Sequence, residues 1–141
     1  MCNKFLPVIP FVDEIGLDSF ANTVRVGVAW SRRLHLRQVV GLYNSKSRQI
    51  FGLAHVVSLH VGPIDDILAA HAHMNHIMLE QPVEEAPALL KEWQLRNYGP
   101  RIINESTRLT AIYLQREPVE DVAARLREYE ALRFAEDCAA G

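Results

Sequence analysis

The sequence is poor in the residues that usually announce a chemistry. Its 141 residues include two cysteines, Cys2 and Cys138, one near each end. A disulfide scaffold uses several cysteines and a zinc site spaces them in close pairs, so neither is expected. Two isolated thiols suit a reducing compartment and predict a cytoplasmic protein. The glycines at 16, 27, 41, 52, 62, 99 and 141 stand singly, which excludes a glycine-rich phosphate loop. There is no nucleophile elbow, no His-Glu-x-x-His pattern and no carboxylate pair with the spacing of glycosidic chemistry. No apolar run approaches the roughly 18 residues of a membrane span. Met1 to Pro10 lacks the layout of a secretory leader, so no contact with a membrane is expected. No internal repeat is present, and nothing calls for a cofactor.

What is present is an ordinary globular composition, 49% hydrophobic, 23% charged and 8% aromatic, with a net charge of −2. That length and composition predict one domain over 1–141 with a real core. The mean charge hides an asymmetry. From Ser19 to Ile64 the chain carries Arg25, Arg32, Arg33, Arg37, Lys46 and Arg48 and no acidic residue, a local charge of +6. Residues 65–141 carry 8 basic and 14 acidic side chains. A basic half attracts phosphates even where the whole protein is slightly acidic, although the same charges also suit solvated loops.

Hydrophobic periodicity outlines the elements. Glu14 to Phe20 reads as a short helix capped by Asp13, with Leu17 and Phe20 inward. Thr23 to Val28 alternates, placing Val24, Val26 and Val28 on one face and Thr23, Arg25 and Gly27 on the other. Ser31 to Gln38 is a polar, basic connection with Leu34 and Leu36 as anchors. Val39 to Tyr43 and Ile50 to Val61 form two strands joined by the hairpin loop Asn44 to Arg48. On the longer strand Phe51, Leu53, His55, Val57, Leu59 and Val61 share a face, opposite Gly52, Ala54, Val56, Ser58 and His60. A helix from about Asp65 carries Ile64, Ile67, Leu68, His71, Met74 and Met78 on its apolar stripe. A second runs from about Pro87 to Gly99, with Ala86, Leu89, Leu90 and Trp93 inward. Thr107 to Leu114 is a last strand, and a helix over about 118–135 closes the chain. The expected architecture is α+β, a small, partly open β-barrel with flanking helices and an added C-terminal helix.

This arrangement resembles the ASCH domain of the PUA-like barrel superfamily. The resemblance covers about residues 13–116, from the first predicted helix through Thr23-Val24-Arg25, the strand pair Val39–Tyr43 and Phe51–Leu59, and Thr110–Leu114. The family signature runs glycine, any, lysine, two of any, an acidic residue or threonine, any, arginine. Laid over Asp18 to Arg25, Thr23 and Arg25 match, while Asp18 stands for the glycine and Phe20 for the lysine. The resemblance implies a cleft between barrel and helices, lined by the polar face of the first strand, that binds RNA or modified nucleosides. Some relatives hydrolyse an acylated cytidine with the lysine, the threonine and a glutamate from elsewhere. Thr23 would be the counterpart nucleophile here, but phenylalanine at 20 can neither accept a proton nor place a charge.

Arg25 is the first candidate for binding, because a guanidinium on a polar strand face can grip phosphate; an ion pair with Asp18 or Glu105 is the bland alternative. Arg32, Arg33 and Arg37 follow, with Trp30 and His35 interleaved. Cations for phosphates and a flat ring for unstacked bases suit single-stranded nucleic acid, although Trp30 also reads as a lid on the barrel. Lys46 and Arg48 sit at a hairpin tip from which they could reach a nucleic-acid backbone or simply be solvated. His73 and His76 fall three apart on the same expected helix face, without the further ligands a metal needs, so no metal site is expected. His71 and His55 read as packed histidines. Asn104 and Glu105 are polar residues that could stand near a cleft.

The resulting expectation is a nucleic-acid-binding module for RNA or single strands, using Thr23, Arg25, Trp30, Arg32, Arg33, Arg37, Lys46 and Arg48. Two other classes stay open. One is a hydrolase acting on a modified nucleoside or nucleic acid at the same cleft. The other is a protein-interaction domain, an inhibitor or adaptor whose acidic C-terminal helix meets a protein partner.

Overall fold

A computed structural model describes residues 6–128. The fold is α+β, a five-stranded sheet curled into a half-barrel with helices against it. In chain order the strands are β1 (Val8–Phe11), β2 (Phe20–Val26), β3 (Val39–Asn44), β4 (Gln49–Pro63) and β5 (Arg108–Arg116). The helices are α1 (Ala29–Arg33), α2 (Ile64–His71) and α3 (Ala86–Tyr98), with a 3₁₀ turn at Ala72–Met74 and a further helical stretch over 122–128. The strand order is β1-β3-β4-β5-β2, antiparallel except for β1 beside β3.

The outer strands of this order, β1 and β2, are brought together by the curl. The Nη2 of Arg25 on β2 donates to the Pro10 carbonyl on β1 at 2.6 Å, across the open seam. Inside the half-barrel lies one core, with Ile9 and Phe11 of β1, Val40 and Leu42 of β3, Ala54 and Val56 of β4, and Ile112 and Leu114 of β5. On the other side of the sheet α2 and α3 cover a second core, in which Ile64, Ile67, Leu68 and Leu90 meet Leu109 and Ala111. Strand alternation explains both, since neighbouring residues of β5 feed opposite cores. On β2, Thr23 pairs with Ile112 and Arg25 with Thr110, so both point to the inner side, while Val24 and Val26 pack into the helix-covered core.

Several sequence expectations are corrected. Glu14 to Phe20 is not a helix. Asp13 Oδ1 accepts the Ile15 N–H at 3.1 Å, Gly16 takes φ +70°, and Phe20 already belongs to β2. Asp13 therefore caps a turn, a competing use of the same side chain. Leu34 is buried as expected, but Leu36 is 60% exposed and anchors nothing. Strand β1 has no counterpart in the sequence reading, being four residues long with Pro10 within it. The single face assigned to β4 is broken by an irregularity between Val56 and Ser58. Ala54 and Val56 point into the inner core before it and Leu59 after it, and Val57, within it, is 47% exposed. Helix α2 ends at His71, short of Met74 and Met78. His55 is not a core residue; its side chain is 45% exposed, 3.6 Å from the Glu117 carboxylate. Asn104 Oδ1 accepts the Ser106 N–H in a turn, and neither Asn104 nor Glu105 lines the cleft described below. The remainder of the helix expected to 135 lies outside the described residues.

The hairpin between β3 and β4 forms as its composition predicts. Asn44 Oδ1 accepts from the N–H groups of Lys46 and Ser47, and its carbonyl accepts from Arg48 at 2.8 Å. The turn puts Arg48 at φ +60°, a left-handed conformation in which an L side chain is strained. Arg48→Gly is therefore expected to stabilise the protein by roughly 0.5–1 kcal/mol, read as a raised urea midpoint.

A candidate ligand-binding cleft

A cleft of about 380 Å³ opens between the β1–β2 seam and helix α3. Its volume falls within the roughly 300–1,000 Å³ of small-molecule sites. From β1 come Pro10 and Phe11, from β2 Thr23 and Arg25, and from the segment after the 3₁₀ turn Asn75 and His76. Helix α3 faces it with Leu90, Trp93, Gln94, Asn97 and Tyr98. Those positions follow helical spacing, so one stripe of α3 forms the wall. Asp13 and Ser45 also line the cleft, and Ser45 brings in the hairpin that carries Lys46 and Arg48.

Arg25 dominates the chemistry. Its Nε donates to Thr23 Oγ1 at 3.0 Å, Nη2 bonds the Pro10 carbonyl, and the guanidinium lies 4.7 Å from the Phe11 ring centroid. Nη1 has no partner among the described residues. Neither Asp18 nor Glu105 pairs with it, and no carboxylate of the described residues lies within ion-pair distance. Burial pulls its pKa down to about 10, partly opposed by Tyr98, which leaves it cationic at neutral pH. A cation taken from water without a counter-ion is costly, and an anion supplied from outside offsets that cost.

His76 stands beside it. The ring meets Phe11 edge-on with centroids 5.2 Å apart, and Nδ1 donates to the Ile15 carbonyl at 2.8 Å. A carbonyl only accepts, so Nδ1 carries the proton and the Nε2 lone pair of the neutral ring is free. Burial holds its pKa below the ordinary 6.5; nearby Arg25 acts the same way, against the Ile15 bond and Asp13. His71, half-buried with Nδ1 2.7 Å from the Tyr113 hydroxyl, is also depressed, by burial and by the neighbouring His60 and His73. Each of these folded-state values lies below the unfolded one. The stability they contribute is present above about pH 6.5 and is lost as pH falls through the folded values. A lower urea midpoint at about pH 5 than at about pH 7 is expected, with a shallower fall in His76→Gln.

Polar groups on the other wall lack partners. Gln94 is 1% exposed, and its Oε1 is buried without a hydrogen bond. Asn75 is 3% exposed and uses its Oδ1 on the Ile77 N–H. Trp93 and Tyr98 make an edge-to-face pair with centroids 6.3 Å apart. Buried amides beside aromatic faces are a setting for a planar, polar ligand.

The structure brings together only part of the residues expected from sequence. Thr23 and Arg25 line the cleft. Trp30 is half-buried over the barrel end, 5.9 Å from the Arg25 guanidinium and 5.4 Å from that of Arg33, and so links the cleft to α1. Arg32 and Arg33 are exposed on α1, and Lys46 and Arg48 on the hairpin. Arg37, at φ +68°, donates its backbone N–H to Val56 at the opposite end of β3 from that hairpin and lines no part of the cleft. The shared helix face expected for His73 and His76 does not exist. His73 lies in the 3₁₀ turn and His76 beyond it. No group of three or more metal-ligating side chains occurs among the described residues. Thr23 is 2% exposed, and its hydroxyl accepts from Arg25 rather than donating to a base.

His76, Gln94, Trp93 and Tyr98 escaped sequence reasoning. In the sequence His76 stands out only by its spacing from His73. The polar part of the α3 wall offered a faint signal, since Gln94 interrupts the stripe of an otherwise apolar face.

No known protein family model matches the chain, and no curated protein matches it. Two solved structures are similar to it. One is a mutant of ZmASCH, from Zymomonas mobilis, at 13% identity and TM-score 0.47, covering 77% of this chain and 67% of that one. The other is protein EF3133 from Enterococcus faecalis, of the DUF984 family, at 12% identity and TM-score 0.46, covering 74% of this chain and 64% of that one. No helix among the described residues is long and apolar enough to cross a membrane.

Proposed function

We propose that this protein binds nucleic acid in single-stranded form, with one nucleotide seated in the cleft and the neighbouring phosphates on the basic rim. The observation that carries this reading is the half-buried, desolvated guanidinium of Arg25, which faces a nucleotide-sized cleft with no carboxylate partner among the described residues. A phosphate meets that need, and the Trp93–Tyr98 pair with the unpartnered Gln94 Oε1 suits a base. The rim supports the same reading. Trp30 joins Arg25 to Arg33, and Ser45 joins the cleft to Lys46 and Arg48. Arg37 is left out of the binding surface.

One observation favours a second reading, hydrolysis of a modified nucleoside or nucleic acid. The free Nε2 of His76 is a base within the cleft. Thr23 does not serve as its nucleophile, for the reason given above. The interaction role expected of the final helix falls largely outside the described residues.

Fluorescence anisotropy of labelled single-stranded RNA and DNA tests the proposal. Affinity is expected to fall steeply with salt, with a slope near −0.7 per phosphate neutralised. An Arg32→Ala/Arg33→Ala protein should bind more weakly and with a shallower slope. Wild-type protein that binds neither strand at low salt would overturn the reading.

A further inference from the structure

We propose that His76 and Arg25 together form an oxyanion seat whose occupation is coupled to the uptake of one proton by His76 Nε2. The inference rests on the binding reading above and adds how that site is regulated. Both side chains are organised by one ring, with Arg25 packed near Phe11 and His76 meeting it edge-on. The Ile15 carbonyl fixes the tautomer, so the only titrating position of the neutral ring is Nε2. Gly16 packs directly against the His76 main chain, so the turn fixes the backbone from which the ring projects.

The charges facing His76 make the coupling directional. From β2 comes the Arg25 cation, from the turn before Gly16 the Asp13 carboxylate, and from α3 the Tyr98 hydroxyl near Arg25. Phe11 brings no charge. In the free protein, burial and Arg25 oppose protonation. A phosphate or other oxyanion entering beside Arg25 cancels that repulsion and offers the imidazolium a partner. The proton comes from solvent and goes to Nε2, and no covalent bond changes. By linkage the anion then binds more tightly as pH falls.

The experiment measures binding of labelled oligothymidylate between about pH 7.5 and about pH 5.5, where its bases and phosphodiesters keep one charge state. Wild-type affinity should rise about 10-fold across that range, and His76→Gln should show no rise. His35→Gln, on the basic connection, should keep the wild-type dependence. A second measurement does not need the variant to fold. NMR titration of the wild-type His76 ring should give a higher pKa with oligothymidylate bound, and with sulfate bound, than in the free protein. Binding that is independent of pH, or a His76 pKa unmoved by either anion, would overturn the proposal. A pKa raised by sulfate without any binding of oligothymidylate would keep the seat and sink the nucleic-acid reading.

Discussion

Arg25→Met is expected to abolish most binding of single strands while leaving the protein as stable as the wild type, or more so. The guanidinium is half-buried and desolvated, keeps its charge and has no carboxylate partner among the described residues. Charge-assisted hydrogen bonds to an anion contribute roughly 1.5–3 kcal/mol, so binding should weaken about 10- to 100-fold. Stability responds differently. Methionine keeps an apolar stem against Phe11, loses the bond to the Pro10 carbonyl, and relieves the desolvated cation. Anisotropy and urea unfolding on the same preparation separate the two effects. A protein that loses several kcal/mol with the substitution would show Arg25 to be chiefly a clasp for the β1–β2 seam.

Gly16→Ala should be the most damaging single-atom addition on the turn before β2. Gly16 sits at φ +70°, and a Cβ there would lie 1.9 Å from the His76 carbonyl oxygen. That oxygen is backbone, so relief requires moving the chain rather than turning a side chain. Gly99, at φ +82°, has nothing within 4 Å of its would-be Cβ and isolates the conformational part. Gly99→Ala is expected to cost about 1 kcal/mol, and Gly16→Ala about 2–4 kcal/mol. The larger loss should come with displacement of His76 and hence weaker anion binding. Equal urea midpoints for the two variants would show that the turn yields easily and that His76 is not held by it.

Much of the barrel was legible because its signals are local. Alternation of Val24 and Val26 with Thr23 and Arg25, and the hairpin chemistry of Asn44, each need only a few residues, and each is where the structure has it. The errors have physical causes of the same scale. Asp13 is as good an Asx-turn residue as a helix cap, and the turn wins because Gly16 must fit under His76. The irregularity after Val56 changes the inward parity of β4 without a compositional mark, so no single face runs the length of the strand and His55, between the inward Ala54 and Val56, points outward. The site was half legible. Thr23 and Arg25 stand on a patterned strand, whereas His76, Gln94 and Tyr98 reach the cleft only through packing of elements distant in sequence. Arg37 belongs to the same basic run as Arg33, yet the chain carries it to the far end of β3. A charge run on a connection reports composition, not a surface.

The most direct test of the cleft as a nucleic-acid site is an amide and side-chain NMR map with a short single-stranded oligonucleotide added stepwise. The account predicts the largest shifts at the Arg25 Nε–H, the indole N–H groups of Trp30 and Trp93, and the backbone of residues 45–48, saturating together. Shifts confined to the C-terminal helix, or to Arg37 and the far end of β3, would contradict it.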